Sequence, residues 1–125
     1  MPVLDLAATE GRDGVPQAKG GAIHLRLRGP LTASTAGRAR QAIVARASGG
    51  ERPVVVDLEA VTAVDASGIA ALLEGQRALD AASSDRMFLR TSPMVTWALK
   101  RSATIGAFRL WTAPLPAGAA VVDVE

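Results

Sequence analysis

The chain has 125 residues, 49% hydrophobic and 21% charged, which suits one soluble domain with a single core and excludes a disordered or fibrous chain. The lack of cysteine excludes disulfides, thiolate chemistry and the usual structural zinc sites, and a single histidine, His24, leaves a His-based metal site without ligands. The formal net charge is only +2: residues 15–52 carry seven basic side chains against Glu51, and 53–85 carry six acidic ones against Arg77. No stacking aromatics interleave the basic third, so solvated faces, not a nucleic-acid surface, are expected.

The start, MPVLDLAATEGRDG, has no basic segment leading into an apolar core, so no signal peptide is read there, and Val3 to Leu6 could form an edge strand. After Gly20-Gly21, Ile23, Leu25 and Leu27 alternate with His24, Arg26 and Arg28, predicting a strand with one buried and one wet face. Gly29-Pro30 is expected to close it. Thr32 or Ser34 then caps a helix whose apolar positions are Ala36, Ala39, Ile43, Val44 and Ala47, stopped by Ser48-Gly49-Gly50.

The β-branched run Val54-Val55-Val56 predicts a central strand covered on both faces. Ile69, Leu72, Leu73 and Leu79 mark a second helix from Ser67 onward, followed by a loop at Ser83-Ser84-Asp85. Met87-Phe88-Leu89 is a short strand, and Ser92-Pro93 starts a third helix with apolar contacts from Met94, Val95, Ala98 and Leu99. Phe108 to Trp111 reads as the last strand and residues 113–125 as a loose tail. The longest uncharged run, Leu110 to Val122, has 13 residues and two prolines, too short and broken to span a membrane. The expected architecture is one α/β domain over residues 1–125, core about 21–112. Its single sheet is mixed but mostly parallel, with four to five strands and helices mainly on one face. The wet His24, Arg26 and Arg28 suggest that the other face is partly open. A cytoplasmic monomer without cofactor is expected.

Three kinds of chemistry can be asked of these residues. A hydrolase built on Ser67 needs His24 as its base, but TAVDASGIAAL is not a G-x-S-x-G elbow, and His24 is expected to face solvent. Asp57, Glu59 and Asp65 could hold a hard cation only if they converged, and surface acids are the simpler reading. The third possibility makes Ser67 a substrate. A hydroxyl in the first helical turn lies near unpaired N–H groups and the positive end of the helix dipole, where a phosphate of about −2 charge is tolerated. Gly68 would let another protein's backbone come close. Composition and spacing favour the plainer alternative, that Asp65 or Ser67 merely caps the helix.

The chain nevertheless resembles the STAS domains of bacterial anti-sigma factor antagonists from about Gly21 to Trp111. The likeness rests on RLRGPLTASTA (26–36), VVVDLEAVTAVDASGIAALL (54–73) and SPMVTWALKRSA (92–103), of which the middle segment is specific. It implies that Ser67 is the phosphoacceptor, that Asp65 and Gly68 shape the site, and that Thr32, Ser34, Thr35, Ala66 and Ile69 contact the partner. That partner would be an anti-sigma factor with serine kinase activity, bound by the unphosphorylated chain and released on phosphorylation, with no direct contact to nucleic acid or membrane. A non-phosphorylated subunit of a lipid or ABC-type transport complex, or of a stressosome-like scaffold, is the alternative. Three positions depart from the family pattern: Ala66 replaces a serine, Thr32 an aspartate and Ala103 a glycine.

Overall fold

The computed structural model describes residues 21–46, 52–82 and 86–125. They form β1 (Ile23–Leu31), α1 (Ala36–Val44), β2 (Val54–Val64), α2 (Ala66–Ala82), β3 (Met87–Arg90), α3 (Pro93–Arg101), a 3-10 turn (Ile105–Ala107) and β4 (Ala120–Asp123). The strands lie in the order β3-β2-β1-β4, and all three pairings are parallel. The described sheet is thus wholly parallel, not mixed. The expected features at Val3–Leu6, Ala47, Ser48-Gly49-Gly50 and Ser83-Ser84-Asp85 lie outside the described residues.

Period-2 alternation sorts the strand residues onto two faces. Leu25, Leu27, Val54, Val56, Met87 and Leu89 meet Ala39 and Ile43 of α1, Ile69, Leu72 and Leu79 of α2, and Val95 and Leu99 of α3 in the main core. All three helices therefore share one face. Helices α1 and α2 come close because Gly75 has no side chain: a Cβ there would sit 2.7 Å from Ile43 Cγ2. At α3, Ser92 Oγ accepts from the Val95 N–H at 3.3 Å with Pro93 next in line, the helix start that the Ser-Pro pair predicts.

The opposite face is covered over part of its extent, while Arg26 and Arg28 keep the rest of it open as expected. Val55, Phe88, Trp111 and Ala113 make a second small core, flanked by Ala22 and Leu115. Phe88 and Trp111 meet edge to face with centroids 5.4 Å apart. The tail that reads as loose supplies this cover and then forms β4 against β1, from Leu25↔Ala120 to Arg28↔Asp123. Phe108–Trp111, expected as the last strand, contributes a single parallel bridge, Leu89↔Leu110. Its alternation is real, but only one rung has a partner at the sheet edge. The exposed Arg28 Nη2 donates to Asp123 Oδ2 at 2.9 Å, and this hydrogen bond and charge hold the Asp123 carboxyl below its ordinary range. Any stability from that pair is present above the usual carboxylate pKa and lost as pH falls through the lowered one, and solvent screens it.

The covered part of this face includes His24 and Asp57. His24 is 7% exposed: Nε2 lies 2.8 Å from Asp57 Oδ2, and Nδ1 lies 3.1 Å from the Pro116 carbonyl in the tail. Asp57 is fully buried, not a surface acid. Its Oδ2 also accepts from Arg26 Nη1 at 3.2 Å, and its Oδ1 from the Glu59 N–H at 3.0 Å. That last bond falls at an irregularity where Arg26 pairs with Asp57 and Arg28 with Ala60, so the carboxylate satisfies a backbone group beside the extra residue.

The other departures are local. Strand β1 runs through Gly29-Pro30 to Leu31 because β4 pairs only as far as Arg28, and Pro30 needs no N–H on that side. Ala103, where the family pattern has glycine, keeps a left-handed conformation with φ of 58°.

Two stability measurements follow. Ala103→Gly removes a left-handed alanine that costs about 1 kcal/mol, and after the entropy of glycine it is expected to raise stability by about 0.5 kcal/mol in urea titration. Asp57→Ala strips His24 and Arg26 of their shared acceptor and is expected to cost about 3 kcal/mol or more by the same measurement.

Candidate functional site

Strand β2 ends at Val64 and α2 begins at Ala66, so Asp65 stands alone at the handover. Its Oδ1 accepts from the Gly68 N–H at 3.0 Å, which makes Asp65 the N-cap of α2. Its Oδ2 accepts from the Ala33 N–H at 3.2 Å, so the same carboxylate ties the β1–α1 loop to the helix start. The Asp65 N–H donates to the Leu31 carbonyl at 3.2 Å, and its carbonyl accepts from the Ile69 N–H at 3.1 Å.

The capping role therefore falls to Asp65 and leaves the serine out of it. Ser67, second residue of α2, is exposed, and its hydroxyl makes no hydrogen bond among the described residues. Two features aim it outward. Gly68 and Ile69 face the protein interior, and a helix turns about 100° per residue, so the position before them points away.

Gly68 has a different role from the one its sequence context suggests. It is buried, and a Cβ there would collide with the Leu31 carbonyl oxygen and lie 2.8 Å from its carbonyl carbon. The space beside it is filled by the protein's own β1, not kept open for a partner. Glycine is needed because α2 starts directly against the end of β1.

The loop between β1 and α1 is ordered by Thr35, which is 4% exposed. Thr35 Oγ1 donates to the Pro30 carbonyl at 2.7 Å and accepts from the Thr32 N–H at 2.9 Å. Neither Thr32 nor Ser34 caps α1. Thr35 holds the N-cap place without a side-chain bond to the helix. Thr32 is half-buried with its Oγ1 3.4 Å from Ser34 Oγ, whereas Ser34 and Ala66 are exposed. Thr35 and Ile69, both expected at the partner surface, are buried and act inside the fold. The exposed patch thus comprises Ser34, Asp65, Ala66 and Ser67, with Thr32 at its margin and Ala33 held in it by Asp65. No sequence signal points to Ala33, because its contribution is a backbone N–H.

Two other chemistries lose their geometry. His24 pairs with Val55 near the start of the strands, while Ser67 follows the end of β2. Seven residues of β1, from His24 to Leu31, separate those levels, roughly 23 Å at the usual rise, so the sole histidine cannot serve Ser67 as a base. The three acids do not converge either: Asp57 is buried with His24, Glu59 pairs with Arg90 Nε at 3.2 Å, and Asp65 caps α2. Among the described residues no cluster of three metal-ligating side chains occurs, and no helix is long and apolar enough to cross a membrane.

These elements define a single-sheet α/β domain that presents a serine at a helix start beside a capping aspartate. A family model described as "Mlab, STAS domain" matches residues 15–96, and the chain belongs to this STAS family. No curated protein matches the sequence. Among solved structures, the anti-sigma factor antagonist SpoIIAA in its unphosphorylated form is similar, with a TM-score of 0.52 and 22% identity. The match covers 72% of this chain and 79% of that one, a likeness of fold.

The site's architecture is open to stability measurement. Gly68→Ala is expected to cost about 3 kcal/mol, because backbone atoms must move to admit the methyl. Asp65→Ala is expected to cost about 1 kcal/mol through the lost cap, whereas Ser67→Ala should stay within about 0.5 kcal/mol of the parent. Chemical denaturation of the three variants checks the ranking.

Proposed function

We propose that the chain is an anti-sigma factor antagonist: unphosphorylated, it binds an anti-sigma factor with serine kinase activity, and phosphorylation of Ser67 releases it. The observation that carries this reading is the exposed hydroxyl of Ser67 in the first turn of α2, free of the capping role that Asp65 performs. Family membership and the fold shared with SpoIIAA support the same reading.

The local chemistry supplies a mechanism for release. A phosphoryl group on Ser67 Oγ places about −2 charge beside the Asp65 carboxylate, at the N-terminal end of the same helix. The two anions compete for the amides of the first turn, including the Gly68 N–H that Asp65 now accepts from. As the dianion draws on those amides and repels the carboxylate, the Asp65 link to Ala33 is weakened and the β1–α1 loop loses a tether. The patch then changes in both charge and shape, and a partner complementary to the unmodified surface meets an uncompensated charge.

A second reading, a STAS subunit of a transport or scaffolding complex that binds through the same patch without phosphorylation, accords equally with membership of the STAS family. Titration of Ser67→Ala and Ser67→Asp variants against an anti-sigma factor that binds the parent chain separates the readings. The switch predicts parent-like affinity for Ser67→Ala and at least about 100-fold weaker binding for Ser67→Asp, as like-charge juxtaposition requires. Equal affinities would leave the unmodified-subunit reading standing.

A further inference from the structure

Helix α3 buries Val95 and Leu99 against the sheet and turns Met94, Trp97, Lys100 and Arg101 to the outside. Trp97 is 60% exposed and Met94 39%, and the Arg101 guanidinium lies 4.7 Å from the Trp97 ring centroid. This stacking fixes the indole against the helix and preorganises both groups. Trp, Met and Arg are the side chains enriched in the buried centres of protein interfaces, and here they are grouped on one face.

The charged side chains that α3 itself turns outward, Lys100 and Arg101, have one sign. From Arg86 to Val122 the sequence contains five basic residues and no acidic one. Arg90 and Arg109 are matched by Glu59 and Asp80. Lys100 and Arg101 form no ion pair among the described residues, so the apolar centre has a cationic rim that the fold leaves uncompensated.

We infer that the outward face of α3 is a second docking surface, suited to a protein segment with an apolar anchor for Trp97 and Met94 and carboxylates for Lys100 and Arg101. Charge complementarity selects this occupant over two others. A second copy of the chain offers little: among the described acidic side chains, Asp57, Glu59, Glu74, Asp80 and Asp123 are already in ion pairs, Asp65 caps α2, and Glu125 alone has neither role, one carboxylate against the two cations of this face. An anionic membrane is recruited by clusters of about four to eight basic residues, and this face has two. The surface comes from a different helix and shares no residue with the patch around Ser67.

Phage-displayed random peptides panned on the full chain, followed by fluorescence titration of the selected sequences, test the assignment. The expected peptides combine acidic and large apolar residues and bind more weakly as salt rises. Trp97→Ala should lower their affinity about 30-fold or more, and Lys100→Glu with Arg101→Glu about 10-fold or more. Ser67→Asp should leave it unchanged. Because these side chains are exposed, the variants should melt with the parent chain, and the charge-reversed pair reports on the surface even where Trp97→Ala is poorly folded. Selection of basic or uncharged peptides, binding that survives both variants, or loss of binding in Ser67→Asp would overturn the inference. Trp97-dependent cosedimentation with phosphatidylglycerol vesicles, or Trp97-dependent self-association in ultracentrifugation, would overturn it in favour of the membrane or a second copy.

Discussion

The crossing of α2 over the end of β1 is the contact on which the site depends. Gly68 brings the helix backbone against the Leu31 carbonyl at a separation that no side chain permits. Asp65 then binds the crossing from both sides, one carboxylate oxygen on the Gly68 amide and the other on the Ala33 amide. With Gly68 and Ile69 turned to the interior, the helical turn leaves Ser67 facing solvent. A serine that looks like a candidate cap is thus displaced from that role by its neighbour, and what remains is a hydroxyl accessible to another protein. The loop of residues 32–35 is coupled to it through the same carboxylate, so a change at the serine can be felt on an adjacent segment without rearrangement of the core.

A second constraint lies on the far face of the sheet. The three helices cover one side, and the C-terminal segment covers part of the other with Trp111, Ala113 and Leu115 over Val55 and Phe88. The polar groups caught beneath it are mutually satisfied: Asp57 receives His24, Arg26 and the Glu59 amide, and His24 reaches the Pro116 carbonyl. A buried carboxylate in this position is tolerated because it is hydrogen-bonded on both oxygens, and removal of one partner would leave a charge in a medium that solvates it poorly. The domain therefore holds the serine patch at the carboxyl ends of the strands, well away from the network that fastens the tail.

Much of this was legible in the residues. The period-2 run at Ile23–Leu27, the β-branched Val54–Val56 and the Ser92-Pro93 start each encode their element through local sterics, and the structure has them where the pattern requires. The serine at the start of α2 could be singled out for the same reason. What the pattern could not carry was tertiary. His24 and Asp57 read as polar surface because alternation assigns a face but not what covers it, and the cover comes from residues more than fifty positions further along the chain. The tail, with its prolines and alanines, has the composition of a loop, yet it supplies β4 because an edge of β1 was available to it. Thr35 and Ile69 sit beside exposed residues in the chain but face inward, a distinction that one residue of helical or turn geometry decides.

Two surfaces lie on this small domain: a serine patch proposed to gain charge by phosphorylation, and a basic, tryptophan-centred helix face. The proposed phosphorylation switch belongs to the first. Incubation of the chain with ATP and an anti-sigma factor kinase that binds it, with the phosphate mapped by mass spectrometry, is the most direct test. One phosphoryl group, on Ser67, is expected, with dissociation of the complex as it accumulates. Modification at another residue, or a stable complex that transfers no phosphate, would contradict the proposed switch.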